Sequence, residues 1–190
     1  MERNLTHIAL FAALIAVLGM IPPITLAVGV PITAQSLGVM LCGCILGSWR
    51  GGLAALLFVV LVALGLPILS GGRGGFGLYF GPSAGFLVGF PVAAFVCGLV
   101  VERWNGPIGP VALAGAVLGG IVVLYALGIP VLAMLLKPES VAKMALNASL
   151  PLPAALSLLY LPGDLIKACI AAAVTAAVAQ MRPGSLLSRL

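Results

Sequence analysis

The chain has 190 residues, 63% of them hydrophobic and 7% charged, with a mean hydropathy of +1.30; soluble domains carry about 25% charged residues, so a water-soluble fold is excluded. Nine Lys and Arg against four Asp and Glu leave a net charge of +5. The basic residues are scattered singly and form neither a run nor a basic face, which argues against a nucleic-acid partner.

A membrane helix takes about 20 apolar residues, so the chain has room for roughly six spans in one all-α integral membrane domain over residues 1–190. The first, at about residues 5 to 21, comes after Met1-Glu2-Arg3 as a signal peptide's apolar region would. The remainder is equally apolar, so it reads as a span. Ala9 and Ala13, and Ala12 and Ala16, have the small-xxx-small spacing that lets helices approach closely, within this chain or against another membrane subunit. His7 reads as an interfacial residue without the partners of a metal site.

The second span is expected at about 33 to 49, with Gln35 near its start and Gly43 and Gly47 spaced for packing. A buried amide in lipid seeks partners, so Gln35 suits interhelical hydrogen bonding as well as a ligand contact. Cys42 and Cys44 point to different faces of this helix. Like Cys97 and Cys169 they lie in apolar stretches and read as packing residues, with no metal or disulfide framework. The third span is expected at about 51 to 68.

Next comes Ser70-Gly71-Gly72-Arg73-Gly74-Gly75-Phe76-Gly77. Its glycines would allow close approach of backbone to a ligand, and Arg73 could grip an anion with two parallel hydrogen bonds. A flexible loop would have the same composition. Spans four and five, at about 83 to 101 and 110 to 136, carry the small pairs Gly85 and Gly89, and Gly115 and Gly119. Glu139, Ser140 and Asn147 are assigned to a wet loop.

The sixth span, at about 155 to 181, contains Pro162-Gly163-Asp164-Leu165-Ile166-Lys167. Pro162 suits a helix start, which would put Asp164 in the first turn and Lys167 on the same face. A charge at mid-membrane costs about 2.5–3.5 kcal/mol, so such residues pair and line polar cavities. The pair is then either a structural ion pair or a site in which Asp164 accepts from ligand N–H groups and Lys167 donates to a carbonyl or carboxylate.

Orientation comes from the Lys and Arg bias of short loops. Arg3, Arg50, Arg103, Arg182 and Arg189 would face the cytoplasm with both termini, and Arg73, Lys137 and Lys143 would face outward. Trp49, Tyr79, Trp104 and Tyr160 fall at expected span ends. None of Lys137, Lys143 or Lys167 is followed by Ser or Thr, so the GxxxxGK[ST] phosphate loop is missing. HExxH is missing too, and an enzyme is not expected.

Val30-Pro31-Ile32-Thr33-Ala34-Gln35, Gly71-Gly72-Arg73-Gly74-Gly75, Gly81-Pro82-Ser83-Ala84-Gly85-Phe86 and Pro162-Gly163-Asp164-Leu165-Ile166-Lys167, in this order, resemble the BioY family along nearly the whole chain. Ser83, Ala84 and Phe86 stand where Thr, Gly and Tyr are expected, mild changes that keep the turn. The resemblance implies six helices in the bacterial cytoplasmic membrane and capture of biotin as the S component of an energy-coupling factor (ECF) transporter. It implies as partners a transmembrane coupling protein, met by the small-residue face of Ala9, Ala12, Ala13 and Ala16, and two cytoplasmic ATPase subunits. No cofactor is expected beyond biotin as the transported substrate.

By resemblance Asp164 and Lys167 hold biotin's bicyclic head, while the chemistry of Arg73 suits its carboxylate. The candidate binding set is completed by Gly72, Gly74, Tyr79 and Gln35, in a pocket roofed by the loops after spans one and three. Two other functions fit the same chain: a solitary biotin carrier without ATPases, and an assembly subunit that binds no biotin. A carrier built on inverted repeats should show matching halves, and residues 1–95 and 96–190 show none.

Overall fold

The computed structural model describes residues 2–23, 32–135 and 152–189. Six helices run through them: α1 (Glu2–Gly19), α2 (Gln35–Leu46), α3 (Ser48–Ala63), α4 (Ala84–Arg103), α5 (Ile108–Leu135) and α6 (Leu152–Met181). Ala84–Arg103, Ile108–Leu135 and Leu159–Met181 are long and apolar enough to cross a membrane, and the other three helices are shorter and apolar. Large apolar side chains such as Leu10, Val60, Val88, Val122 and Ile170 are exposed on every helix except α2. Such a surface suits hydrocarbon as the surrounding solvent.

α2 has 12 residues and so rises only about 18 Å, well short of the bilayer core of about 30 Å. It can be short because it meets no lipid. Among its residues only Leu37 is not buried, and α1, α3, α4, α5 and α6 all pack around it.

Association of helices in lipid draws little on hydrophobic burial, so close contact of backbones has to supply it. The glycines serve that end. A Cβ on Gly43 would strike the Ala94 carbonyl of α4, one on Gly98 the backbone of Gly47 and Ser48, and one on Gly119 the Ala93 carbonyl. Gly85 meets the Leu127 carbonyl in the same way. The pairs Gly43 and Gly47, Gly85 and Gly89, and Gly115 and Gly119 therefore pack within the chain.

The alanines of α1 divide. Ala9 and Ala13 are exposed, Ala12 is buried in the core and Ala16 is half-buried against it. Expecting all four on one outward face is corrected: helical rotation turns Ala12 and Ala16 toward α2 and α3, and leaves Ala9 and Ala13 at the outer edge.

One residue, Gly47, joins α2 to α3. Its φ of +88° is a left-handed conformation that favours glycine. The first N–H of α3 is met by Glu102 of α4, whose carboxylate accepts from Ser48 N at 2.8 Å and from Ser48 Oγ at 2.6 Å. A carboxylate at a helix N-terminus satisfies those donors and complements the helix dipole. The tail folds back onto this end, where Ser188 Oγ donates to the Cys44 carbonyl at 2.6 Å and Arg50 Nη1 to that of Leu187 at 3.3 Å.

The boundaries that depart from expectation include the α2–α3 junction, at Gly47 instead of near residue 50. α3 ends at Ala63 instead of near 68, because the chain turns at Gly65 (φ +101°) ahead of Pro67. α6 begins at Leu152 and carries Pro162 inside it, so Asp164 lies in the helix body, away from the helix dipole's N-terminal charge. Glu139, Ser140 and Asn147 lie outside the described residues.

Candidate functional site

At the end of the bundle opposite the tail lies a cavity of about 80 Å³. α6 supplies Tyr160, Asp164 and Lys167, spaced i, i+4 and i+7 and so aligned on one stripe of the helix. α2 adds Gln35 and Ser36 from its first turn, α5 adds Leu124 and Tyr125, and Arg73 comes from the glycine-rich hairpin. Phe86, Leu87 and Phe90 of α4 form an apolar wall, with the Phe86 ring 6.3 Å from that of Tyr160.

The polar side of the cavity is one bonded cluster. Lys167 Nζ donates to Asp164 Oδ1 at 2.8 Å and to Ser36 Oγ at 3.0 Å. Asp164 also accepts from Ser36 Oγ at 3.4 Å and, through Oδ2, from Tyr125 OH at 2.7 Å. The side chains of Lys167 and Asp164 are 14% and 10% exposed, so opposite charges meet in a poorly screened setting and offset the cost of removing each from water. Lys167 retains one N–H, and Asp164 retains acceptor capacity on Oδ2, which takes only the Tyr125 bond.

Gln35 joins three segments. Its Nε2 donates to the carbonyls of Ile15 in α1 (3.3 Å) and Ile68 (3.1 Å), and its Oε1 accepts from Ser70 N at 3.0 Å. It is 1% exposed, and Gly19 makes room for it, since a Cβ there would lie 2.5 Å from Gln35 Nε2. Interhelical bonding thus consumes its amide even though it borders the cavity. Beyond it Leu69 and Arg73 exchange two backbone hydrogen bonds of 3.0 Å around Gly71 and Gly72, at φ +79° and +69°. Arg73 Nε donates to the Ser70 carbonyl at 3.0 Å. Its Nη groups have no partner among the described residues.

Three expected contacts fall elsewhere. Gly72 and Gly74 do not border the cavity: Gly72 makes the turn, and a Cβ on Gly74 would strike the Leu66 carbonyl. Tyr79 is also absent from its walls; the hydroxyl donates to the Val59 carbonyl at 2.6 Å and ties the short helix Phe76–Phe80 to α3. Burial raises its pKa, so it stays a neutral donor. Sequence reasoning missed Ser36 and Tyr125. A phenol inside an otherwise apolar span is the signal for the latter, since its hydroxyl has to find a partner.

A larger hollow of about 550 Å³ opens at the tail end beside Trp49, Arg50, Glu102 and Arg189. Its charged groups are already bonded within the chain: Glu102 caps α3, and Arg189 Nη2 donates to the Trp104 carbonyl at 2.9 Å. The smaller cavity has an apolar wall and a few convergent polar groups, the pattern of a small-molecule site.

A helical bundle with an apolar outer surface and a polar cluster at the wall of a cavity has the pattern of a small-molecule site. The BioY family model matches residues 2–184, and the chain belongs to the BioY family. It is 54% identical over all of both chains to the biotin transporter BioY of Rhodobacter capsulatus. The biotin transporter BioY of Rhizobium etli is 48% identical, covering 93% of this chain and 92% of that protein. A crystal structure of the S-component for biotin from an ECF-type ABC transporter superposes with a TM-score of 0.81 at 27% identity, covering 95% of this chain and 92% of that one.

Proposed function

We propose that the chain captures biotin from outside the cell and serves as the substrate-binding subunit of an ECF-type transporter. The observation that carries this reading is the pair Lys167 Nζ and Asp164 Oδ1, 2.8 Å apart at the wall of the cavity. A donor and an acceptor side by side complement the edge of a cyclic urea, where a carbonyl and an N–H also stand side by side. The aromatic and aliphatic wall suits the sulfur ring and alkyl tail. Arg73, with Nη groups to spare, suits the tail carboxylate.

A transmembrane coupling protein would dock along the exposed edge of α1 at Ala9 and Ala13, and two cytoplasmic ATPase subunits would supply the energy. The outward opening and the cytoplasmic placement of both termini rest on the Arg and Lys bias.

The test is equilibrium binding of biotin to the detergent-purified chain, with Asp164→Asn and Lys167→Ala alongside. Losing one partner of a buried charged contact costs about 2–5 kcal/mol, more than tenfold in affinity. Tight binding that weakens by that much in both variants is expected. Folded wild-type protein that binds no biotin would remove the proposal.

A further inference from the structure

We infer that Tyr125 is a positioning residue for recognition, holding the Asp164 carboxylate in the orientation that presents its Oδ1 beside Lys167; this rests on the reading of Asp164 and Lys167 as the head-group contacts.

A carboxylate on a helix is free to rotate about its terminal bond, and Lys167 alone bonds one oxygen of it. Tyr125 bonds the other: its hydroxyl donates to Oδ2 at 2.7 Å, while Lys167 and Ser36 meet Oδ1 at 2.8 and 3.4 Å. The two oxygens are thereby told apart. Rotating the carboxylate would break contacts on both sides at once.

The position of Tyr125 is itself built into the helix. α5 passes through a π-helical turn, Leu118–Val123, immediately before Leu124 and Tyr125. A π-turn inserts an extra residue and rotates the rest of the helix by about 100° relative to an uninterrupted α-helix. Gly115 before that turn and Gly119 within it pack on α4; after it Leu124 and Tyr125 border the cavity. The helix packs closely on α4 on both sides of the turn, through Gly115 before it and Leu127 against Gly85 after it, and the turn sets which of its residues face the site.

Tyr125→Phe removes the hydroxyl and keeps the ring, so it isolates the hydrogen bond. In biotin binding we expect it to weaken affinity about three- to tenfold, the size of one hydrogen bond to a charged group acting indirectly. Added to Asp164→Asn, the same change should cost little more, because the carboxylate it positions is gone. Ligand-free thermal unfolding of the same four proteins gives a second reading. Tyr125→Phe should lower the apparent Tm by about 3–6 °C when made in the wild type and by much less when made in the Asp164→Asn variant.

Wild-type affinity in Tyr125→Phe, or additive losses in both the binding and the unfolding cycles, would overturn the inference. The reading of the ligand fails separately, on wild-type protein that binds no biotin.

Discussion

Replacing Lys167 by Met removes a cation of similar length and leaves Asp164 facing Ser36 and Tyr125 alone. Because the paired side chains are only 14% and 10% exposed, water screens the loss little, and breaking a buried pair by removing one partner costs about 3–5 kcal/mol. The hydrogen bonds from Tyr125 and Ser36 remain and offset part of that loss. The net loss is then about 2–3 kcal/mol. For a chain of this size that lowers the apparent Tm by about 4–12 °C. The assay is ligand-free thermal unfolding in detergent of wild type, Lys167→Met, Asp164→Asn and the double variant. Asp164→Asn should lose less, since Ser36 Oγ and the amide oxygen still accept from Lys167. The double variant should be more stable than Lys167→Met, because no charge is left buried without a partner. Equal and additive losses in the two single variants would refute the coupling and with it the description of the cluster as one unit.

Other variants probe the loop and the packing. Wild-type protein should prefer biotin to its methyl ester by about tenfold, and Arg73→Ala should erase that preference by weakening only the free acid, as read by competition binding. Gly98→Leu forces a side chain into the backbone of Gly47 and Ser48 and should exceed the usual overpacking cost of about 1–3 kcal/mol, visible as lost monodispersity on size exclusion. Gly52→Ala is the control: its Cβ would lie 3.4 Å from Phe95 Cβ, a tolerable contact, so near-wild-type behaviour is expected.

The number and order of helices were legible because apolar runs of membrane length are visible without any tertiary information. Their ends were not. Gly47, Gly51 and Gly52 look alike in sequence, yet only Gly47 adopts a positive φ and separates two helices. In water Pro162 would mark a helix start, whereas neighbouring helices in a membrane satisfy the backbone groups that an interior proline frees. Asp164 and Lys167 stood out as charges three apart in apolar surroundings. Tyr125 and Ser36 did not, since their significance lies in reaching Asp164 from 39 and 128 residues away. Gly72 and Gly74 show the opposite error: a glycine-rich segment made for chain reversal has the composition of one made to cradle a ligand.

The Gln35 amide has a mechanical meaning. It grips the end of α1 through Ile15 and the base of the Arg73 hairpin through Ile68 and Ser70, all at one buried point where Gly19 leaves just enough space. Tilting the top of α1 therefore pulls on the hairpin beside the cavity, as two levers pinned on a common pivot.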